Sequence, residues 1–350
     1  MAVDVNTTGG PSAVHDVAVA LWTIGPGSGE LRTEHLPSRG GGDALVRTLW
    51  TGISRGTETL VSRGEVPAAE YERMRAPFQA GDFPFPVKYG YLSVGVVEDG
   101  PSAGRTVFAL HPHQSRFVVP AAALAAVPDA VPPRRAVLAG PVETAVNVLW
   151  DARPQLGDRI AVIGAGMIGC AVAAIARRIP GVDVVLIDVD ETKRELATAL
   201  GVGFAPASAP PEDSDIVIEA SGRGEGLQLA LRIAPTDGEI VVASWYGTTA
   251  VPLELGADFH SRRLTIRASQ VGAVASARRG RRTTADRLAL ALRLLEDSAF
   301  DALLGGTSPW MRLPDVVAQL ADGTADPLCH TIDWSEPGRA ASTKSEGSGS

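Results

Sequence analysis

The run Gly164-Ala165-Gly166-Met167-Ile168-Gly169 has the G-x-G-x-x-G spacing that lets a backbone cradle a pyrophosphate. An apolar run at 159–163 precedes it and an apolar helix is predicted over 166–178. A second apolar strand, 182–187, then ends at Asp188, nineteen residues past the last glycine. In that setting Gly164 serves the tight turn, Gly166 the close approach of a phosphate, and Gly169 the packing of helix on strand. The first helical N–H groups, those of Met167 and Ile168, face the phosphates with the positive end of the helix dipole. A carboxylate at Asp188 accepts hydrogen bonds from ribose hydroxyls and repels a 2′-phosphate, so NAD is the expected cofactor; Lys193 and Arg194 keep NADP as the alternative. The competing, blander reading is a glycine-rich turn in a protein that binds no nucleotide, with Asp188 capping that turn.

Strands alternating with helices continue around this motif. Helices are predicted over 145–152, 191–200 and 227–233, and strands over 215–219, 239–243 and 264–267. That order makes βαβ units and hence a parallel sheet covered on both faces. The first ~135 residues read as β structure and loops, with strands over 17–22, 44–50, 92–98 and 106–110 and one helix over 68–74. Beyond Ser269 come the basic run 278–282, a helix over 285–296 capped by Thr283 and Asp286, a short helix over 314–320 and a strand over 329–334.

With 350 residues, 45% apolar and 21% charged, the chain can bury a sizeable core in about two domains, which excludes general disorder. A net charge of −8 and a pI near 5.3 argue against nucleic-acid binding as the main role. Two cysteines are too few for a disulfide framework or a thiolate zinc site, and Cys170 reads as a small buried hydrophobe. The N-terminus has no signal-like pattern. The longest uncharged stretch, 160–176, is short for a membrane span and broken by glycines. A cytoplasmic protein with a small-molecule substrate, no nucleic acid and no membrane partner is expected.

A β-rich first half, a central dinucleotide unit and a returning C-terminal segment together resemble the medium-chain dehydrogenase/reductase superfamily, from about Val17 to Trp334. Residues 51–58, T-G-I-S-R-G-T-E, resemble the segment that carries that family's first catalytic zinc ligand, a cysteine. Residues 90–95, G-Y-L-S-V-G, resemble its G-H-E-x-x-G element, and Gly157-Asp158-Arg159 leads into the nucleotide strand as in those enzymes. Within the superfamily, GISRGTE with VKYGYLSVG is most similar to the bacteriochlorophyllide dehydrogenase-like branch, which oxidises a hydroxyethyl group on a macrocycle.

The resemblance implies an α/β fold: a GroES-like catalytic domain over 1–144, a doubly wound Rossmann domain over 145–275 and a return to the catalytic domain over 276–335; the polar, low-complexity composition of 336–350 predicts a disordered tail. The resemblance also implies a homodimer joined along the edge of the nucleotide-domain sheet. Cofactor contacts are implied for Thr144, Ala220, Ser221, Ser244, Trp245, Tyr246 and Ser269, with plain strand-end packing as the alternative for each.

The departures from the family carry as much information. Ser54 stands in place of the cysteine, Tyr91 of the histidine and Leu92 of the glutamate. Gly140-Pro141-Val142-Glu143, at the third ligand position, has no thiol, and the four-cysteine structural-zinc lobe is missing. A zinc-independent member is therefore expected, with a non-standard site from Glu58, His111, His113 and Glu143 as the alternative.

Without a metal, hydrogen-bonding groups must carry the charge that hydride transfer develops on the substrate oxygen. Tyr91 is expected to aim its hydroxyl into the cleft, Lys88 to lower its pKa from three residues away, and Ser54 to be the next donor. His111 and His113 are expected near the cleft as proton relays, against the simpler structural role of either ring. Glu58 and Glu143 are expected to partner Arg55 and backbone donors. The run 278–282 reads as a solvated or subunit-facing loop, or as a site for an anionic substrate group. The implied activity is NAD-dependent hydride transfer between a secondary alcohol and its ketone, the alcohol being a hydroxyalkyl or polyol carbinol, ring-borne ones included. The alternatives are an NADPH-dependent enoyl or quinone reductase and a non-catalytic dinucleotide-binding protein.

Overall fold

The computed structural model describes residues 17–325 and 328–335, so the tail expected over 336–350 lies outside the described residues. The N-terminal lobe holds β1 (Val17–Gly25), β2 (Ser28–His35), β3 (Asp43–Ile53), β4 (Ala80–Gly81), β5 (Val87–Lys88), β6 (Ser93–Asp99), β7 (Thr106–Ala109), β8 (Arg116–Pro120) and β9 (Ala125–Ala126), with helix α1 (Arg55–Arg63) after β3. Two helices follow, α2 (Pro133–Ala136) and α3 (Ala139–Ala152). They lead to β10 (Arg159–Ile163), α4 (Met167–Ala176), β11 (Asp183–Asp188), α5 (Lys193–Leu200), β12 (Gly203–Pro206), β13 (Ile216–Glu219), α6 (Gly224–Ile233), β14 (Glu239–Val242) and β15 (Thr265–Ala268). The chain closes with α7 (Thr284–Leu294), β16 (Leu304–Pro309), α8 (Leu313–Asp322) and β17 (Cys329–Asp333).

Six strands form a parallel sheet in the order β12-β11-β10-β13-β14-β15. Its central strands are short apolar runs, buried because helices cover both faces. Helix α4 is apolar nearly all round and eight of its ten residues are buried, as a helix wedged between sheet and neighbouring helices must be. The direction of strand order reverses at β10, with β11 on one side and β13 on the other, and that switch opens a crevice at the strands' carboxyl ends.

The β-rich part forms two sheets, β2-β1-β5-β4 and β16-β17-β3-β6-β7-β9, with β8 also paired to β3. Strand β17 runs antiparallel to β3, with His330 opposite Ile53 and Asp333 opposite Trp50, so the end of the chain returns to the first sheet. One core cluster joins the lobes: Leu92, Val94 and Phe108 pack with the buried faces of α3, α4 and α7.

Three local expectations change. The helix predicted over 68–74 is only a 3-10 turn, Ala68–Glu70, because Pro67 and Pro77 bracket a stretch too short to propagate. Helix α3 begins at Ala139 rather than 145, so the border expected at 144/145 falls inside one helix. Helix α1 has no counterpart among the predicted elements. The cap of α7 forms as expected: Thr283 Oγ1 accepts from the Asp286 N–H and the Asp286 carboxylate from the Thr283 N–H. No described helix is long and apolar enough to cross a membrane.

Candidate active site

The glycine-rich turn sits at the crevice. Gly164 has φ of +99°, and a Cβ there would lie 2.6 Å from Ser221 Cα. A Cβ on Gly169 would lie 1.9 Å from the Gly164 carbonyl oxygen, so helix and strand can meet this closely only with glycine. Above Gly166 a Cβ would meet nothing within 4 Å, which leaves open space over the N-terminus of α4. No side chain caps that N-terminus, so its first N–H groups have no side-chain acceptor there. These features fit the phosphates of a dinucleotide.

Asp188 ends β11 beside the turn. Its Oδ2 accepts from the Ala165 N–H at 2.7 Å and its Oδ1 from the Asp190 N–H at 3.0 Å. Lys193 opens α5 close by, and Arg194 lies over the Phe204 ring at 4.7 Å. Cys170 is buried in α4, where burial pushes its thiol up to about 12.

Ala220 and Ser221 lie against Gly164. Ser221 and Tyr246 share a partner that sequence reading overlooked, the fully buried carboxylate of Glu219. Ser221 donates to Glu219 Oε1 through N–H and hydroxyl, and Tyr246 donates to Oε2 at 2.7 Å. Ser244 Oγ accepts from the Gly222 N–H at 2.8 Å. Thr144 donates to the Gly140 carbonyl within its own helix at 3.1 Å, and Ser269 donates to Asp151 at 2.7 Å. These hydroxyls are engaged within the protein. Trp245 differs: it reaches across to pack with the Phe83, Tyr89 and Tyr91 cluster of the other lobe.

In that other lobe Tyr91 and Ser54 meet. The Tyr91 hydroxyl donates to Ser54 Oγ at 2.6 Å. Burial pushes Tyr91 up to about 12; hydrogen bonds with Ser54 and Thr57 pull it down, while the Glu58 charge adds to the rise. Ser54 is the N-cap of α1, yet its hydroxyl makes no capping bond. The Glu58 carboxylate accepts the Ser54 N–H at 2.7 Å, and the Ser54 hydroxyl meets Tyr91.

Lys88 is not brought to this pair. Strand β5 ends at Lys88, and Gly90, with φ of +118°, turns the backbone between it and Tyr91. Lys88 Nζ donates to Glu34 at 2.6 Å and to Gln114 at 3.0 Å. The expected lowering of the Tyr91 pKa is therefore replaced by a rise.

His111 is not brought there either. Its ring stacks on Phe117 with centroids 3.9 Å apart, and its Nδ1 lies 3.0 Å from the Pro112 carbonyl. Burial holds His111 far below the usual imidazole range, at about 3, so it is no relay near neutral pH. His113 lies beneath the pair, with both ring nitrogens engaged inside the protein.

The acidic partners also differ from expectation. Glu58 meets a backbone donor as expected, the Ser54 N–H, but its side-chain partner is His113 rather than Arg55. Glu143 pairs with Arg287, a residue that sequence reading did not single out. The run 278–282 is exposed.

The donor set does not suit a catalytic zinc. Leu92 is fully buried, and a Cβ on Gly140 would come within 2.4 Å of its Cδ2, so apolar packing joins two of the family's ligand positions. The other two hold hydroxyls bonded to each other. Of the non-standard set, Glu58 and His113 meet, while His111 and Glu143 are engaged elsewhere. Among the described residues no three His, Cys, Asp or Glu side chains gather around one point.

No family model matches the chain. It is 28% identical over 153 residues to a 2-dehydro-3-deoxy-L-galactonate 5-dehydrogenase from Pseudoalteromonas atlantica, a match covering 41% of this chain and 44% of that protein. The chain spans less than half the length of the curated relatives it matches. An Escherichia coli alcohol dehydrogenase solved with NADH superposes with a TM-score of 0.71 at 16% identity, over 91% of this chain and 99% of that one. A Sinorhizobium meliloti dehydrogenase assigned as zinc-binding and bound to NADP superposes with a TM-score of 0.70 at 20% identity, again over 91% and 99%. The chain has the fold of those dehydrogenase structures, a β-rich lobe joined to a parallel-sheet lobe.

Proposed function

We propose that the chain is an oxidoreductase that interconverts a secondary alcohol and its ketone by hydride transfer, prefers NAD(H), and works without a catalytic zinc. One observation carries this: the Tyr91–Ser54 hydroxyl pair stands at the family's metal-ligand positions, in the aromatic cluster that Trp245 joins from the nucleotide sheet. A bound nicotinamide would supply or accept the hydride. Gly166 and the open end of α4 would hold its phosphates, and Asp188 its adenosine ribose.

The chain's own residues supply the proton chemistry. Ser54 Oγ accepts from Tyr91 and so keeps its own hydrogen to donate to an oxygen on which charge develops. The N-terminus of α1 adds its positive dipole end at the same place. Tyr91 stays protonated up to about pH 12, which makes it a donor in carbonyl reduction at neutral pH. The sugar-acid substrate of the Pseudoalteromonas relative supports a polyol carbinol. The sequence likeness to the bacteriochlorophyllide branch supports a ring-borne one. A homodimer belongs to the same proposal, since among the described residues β15 is an edge strand of its sheet.

The experiment is a titration with NADH and NADPH, followed by turnover on ketones, secondary alcohols and enones. Binding of NADH with ketone reduction is expected. Turnover of enones alone with NADPH would establish the reductase alternative, and binding without turnover the non-catalytic one. Tyr91→Phe should lower kcat by about 10²-fold while the Kd for NADH stays within twofold. The wild-type reduction rate should show no titration from Tyr91 between pH 6 and 9. Full activity in Tyr91→Phe would remove Tyr91 from the mechanism. Asp188→Ala should weaken NADH binding about tenfold and narrow the preference over NADPH, because it removes a charged acceptor of ribose hydroxyls. An unchanged NADH/NADPH ratio would refute that assignment.

A further inference from the structure

Beneath the hydroxyl pair lies a buried hydrogen-bond chain in which every polar atom has a partner. Trp334 Nε1–H donates to Thr51 Oγ1 at 3.0 Å. Thr51 Oγ1 lies 2.8 Å from His113 Nδ1, and His113 Nε2 lies 3.0 Å from Glu58 Oε2. Glu58 Oε1 accepts the Ser54 N–H at 2.7 Å. The donor directions follow from the ends. Glu58, as a carboxylate, only accepts, so His113 Nε2 carries hydrogen toward it. The Thr51 oxygen already receives the indole N–H, which leaves its own hydrogen for His113 Nδ1.

His113 supports the second hydroxyl as well. Its backbone N–H donates to the Tyr89 carbonyl at 3.3 Å. Its ring lies directly under Gly90, where a Cβ would come 2.7 Å from Cδ2. Gly90 has φ of +118°, so a close, strained backbone approach fixes the residue that precedes Tyr91. Trp334 follows β17, so the network ties the returning end of the chain to the start of α1.

We infer that His113 and Glu58 are positioning residues that hold Ser54 and Tyr91 at hydrogen-bonding distance, with the imidazole acting as a fixed strut between Thr51 and Glu58. This rests on the proposed role of the hydroxyl pair. It replaces the expected proton relay by His113: the ring is 1% exposed, and both nitrogens are occupied by protein groups. The helix geometry agrees. A serine at an N-cap ordinarily bonds a helical N–H; here the Ser54 hydroxyl makes no such bond and meets Tyr91, while Glu58 holds the Ser54 backbone N–H. A shift of the pair by an ångström is enough to lower turnover about 10²-fold.

The test uses the full chain with 2,3-butanedione and NADH as probes, comparing wild type, His113→Ala, His113→Gln and Glu58→Gln. In His113→Ala, kcat should fall by about 10²-fold, with the KM for butanedione and the Kd for NADH within about twofold. His113→Gln, whose amide N–H can still reach Glu58, should recover kcat to within a few-fold of wild type. A crystal structure of His113→Ala should show the Tyr91–Ser54 contact opened beyond hydrogen-bonding distance. Where His113→Ala does not fold, Glu58→Gln serves, because one amide oxygen cannot accept both the Ser54 and His113 N–H groups; its kcat should fall about tenfold. Undiminished kcat in these variants, an intact 2.6 Å contact without His113, or no recovery in His113→Gln with the contact intact would each overturn the inference. If the wild-type chain reduces no ketone, the alcohol–ketone reading fails on its own, and the structures of the variants still decide whether His113 holds the pair.

Discussion

Arg287→Ala is expected to lower the free energy of unfolding by about 3–5 kcal/mol, the range for leaving one member of a buried ion pair alone. Arg287 is 1% exposed on α7. Its guanidinium donates to Glu143 at 3.0 Å, to Asn147 at 2.5 Å, to the Ala273 carbonyl at 3.2 Å and to the Val271 carbonyl. Burial already pushes the Glu143 carboxyl above its usual range even with Arg287 beside it, so removing the cation leaves a charge with no compensation. Arg287→Lys keeps the charge and loses the planar fork, and its loss should be roughly half as large. Urea unfolding of the variants at pH 7 measures both. A loss below about 1 kcal/mol in Arg287→Ala would mean that water or a relaxed backbone satisfies the cluster.

The same cluster bears on the parallel-sheet lobe. Asn147 also accepts the Ala275 N–H at 3.0 Å, and Ser269 is held by Asp151. Arg287 therefore ties the return helix to α3 and to the loop that leaves β15, and a variant that survives folding should release that loop first. Nothing in the local sequence around Arg287 announces this. An arginine within ADRLALALRL looks like one more solvated charge on an amphipathic helix. Its four acceptors lie on α3 and on the loop at 271–273, and only the fold brings them together.

That contrast runs through the whole chain. The parallel βαβ architecture was legible because its determinants are local: the glycines, the apolar strands and the helix between them lie within one stretch, and Asp188 ends its second strand. Polar strands such as β2, S-G-E-L-R-T-E-H, show little apolar alternation and escaped notice, as did α1, whose nine residues offer few apolar positions to show a period. Ser54 and Tyr91 could be paired only through the family resemblance. Lys88 was misplaced because its charge partner, Glu34 on β2, lies 54 residues away, out of reach of any local spacing. His113 finds its partners 55 and 62 residues away, which no spacing rule supplies.

His111 offers the clearest pH-dependent consequence of this packing. Its ring is buried against Phe117, with Phe78 on a centroid 5.6 Å away, and its pKa lies at about 3 where the unfolded chain has 6.5. Below pH 6.5 the unfolded chain binds a proton at this ring that the folded chain refuses. Stability is therefore fully present above pH 6.5 and declines as the pH falls toward 3. The loss should reach about 2 kcal/mol at pH 5 and about 3–6 kcal/mol once the ring would be protonated in both states. His111→Phe keeps a flat ring in the stack and has nothing to protonate. Its unfolding free energy measured at pH 7 and again at pH 5 should differ by about 2 kcal/mol less than that of the wild type, whatever its absolute stability. An equal pH dependence in the two proteins would show that the imidazole reaches water in the folded state, and that stacking on Phe117 does not seal it.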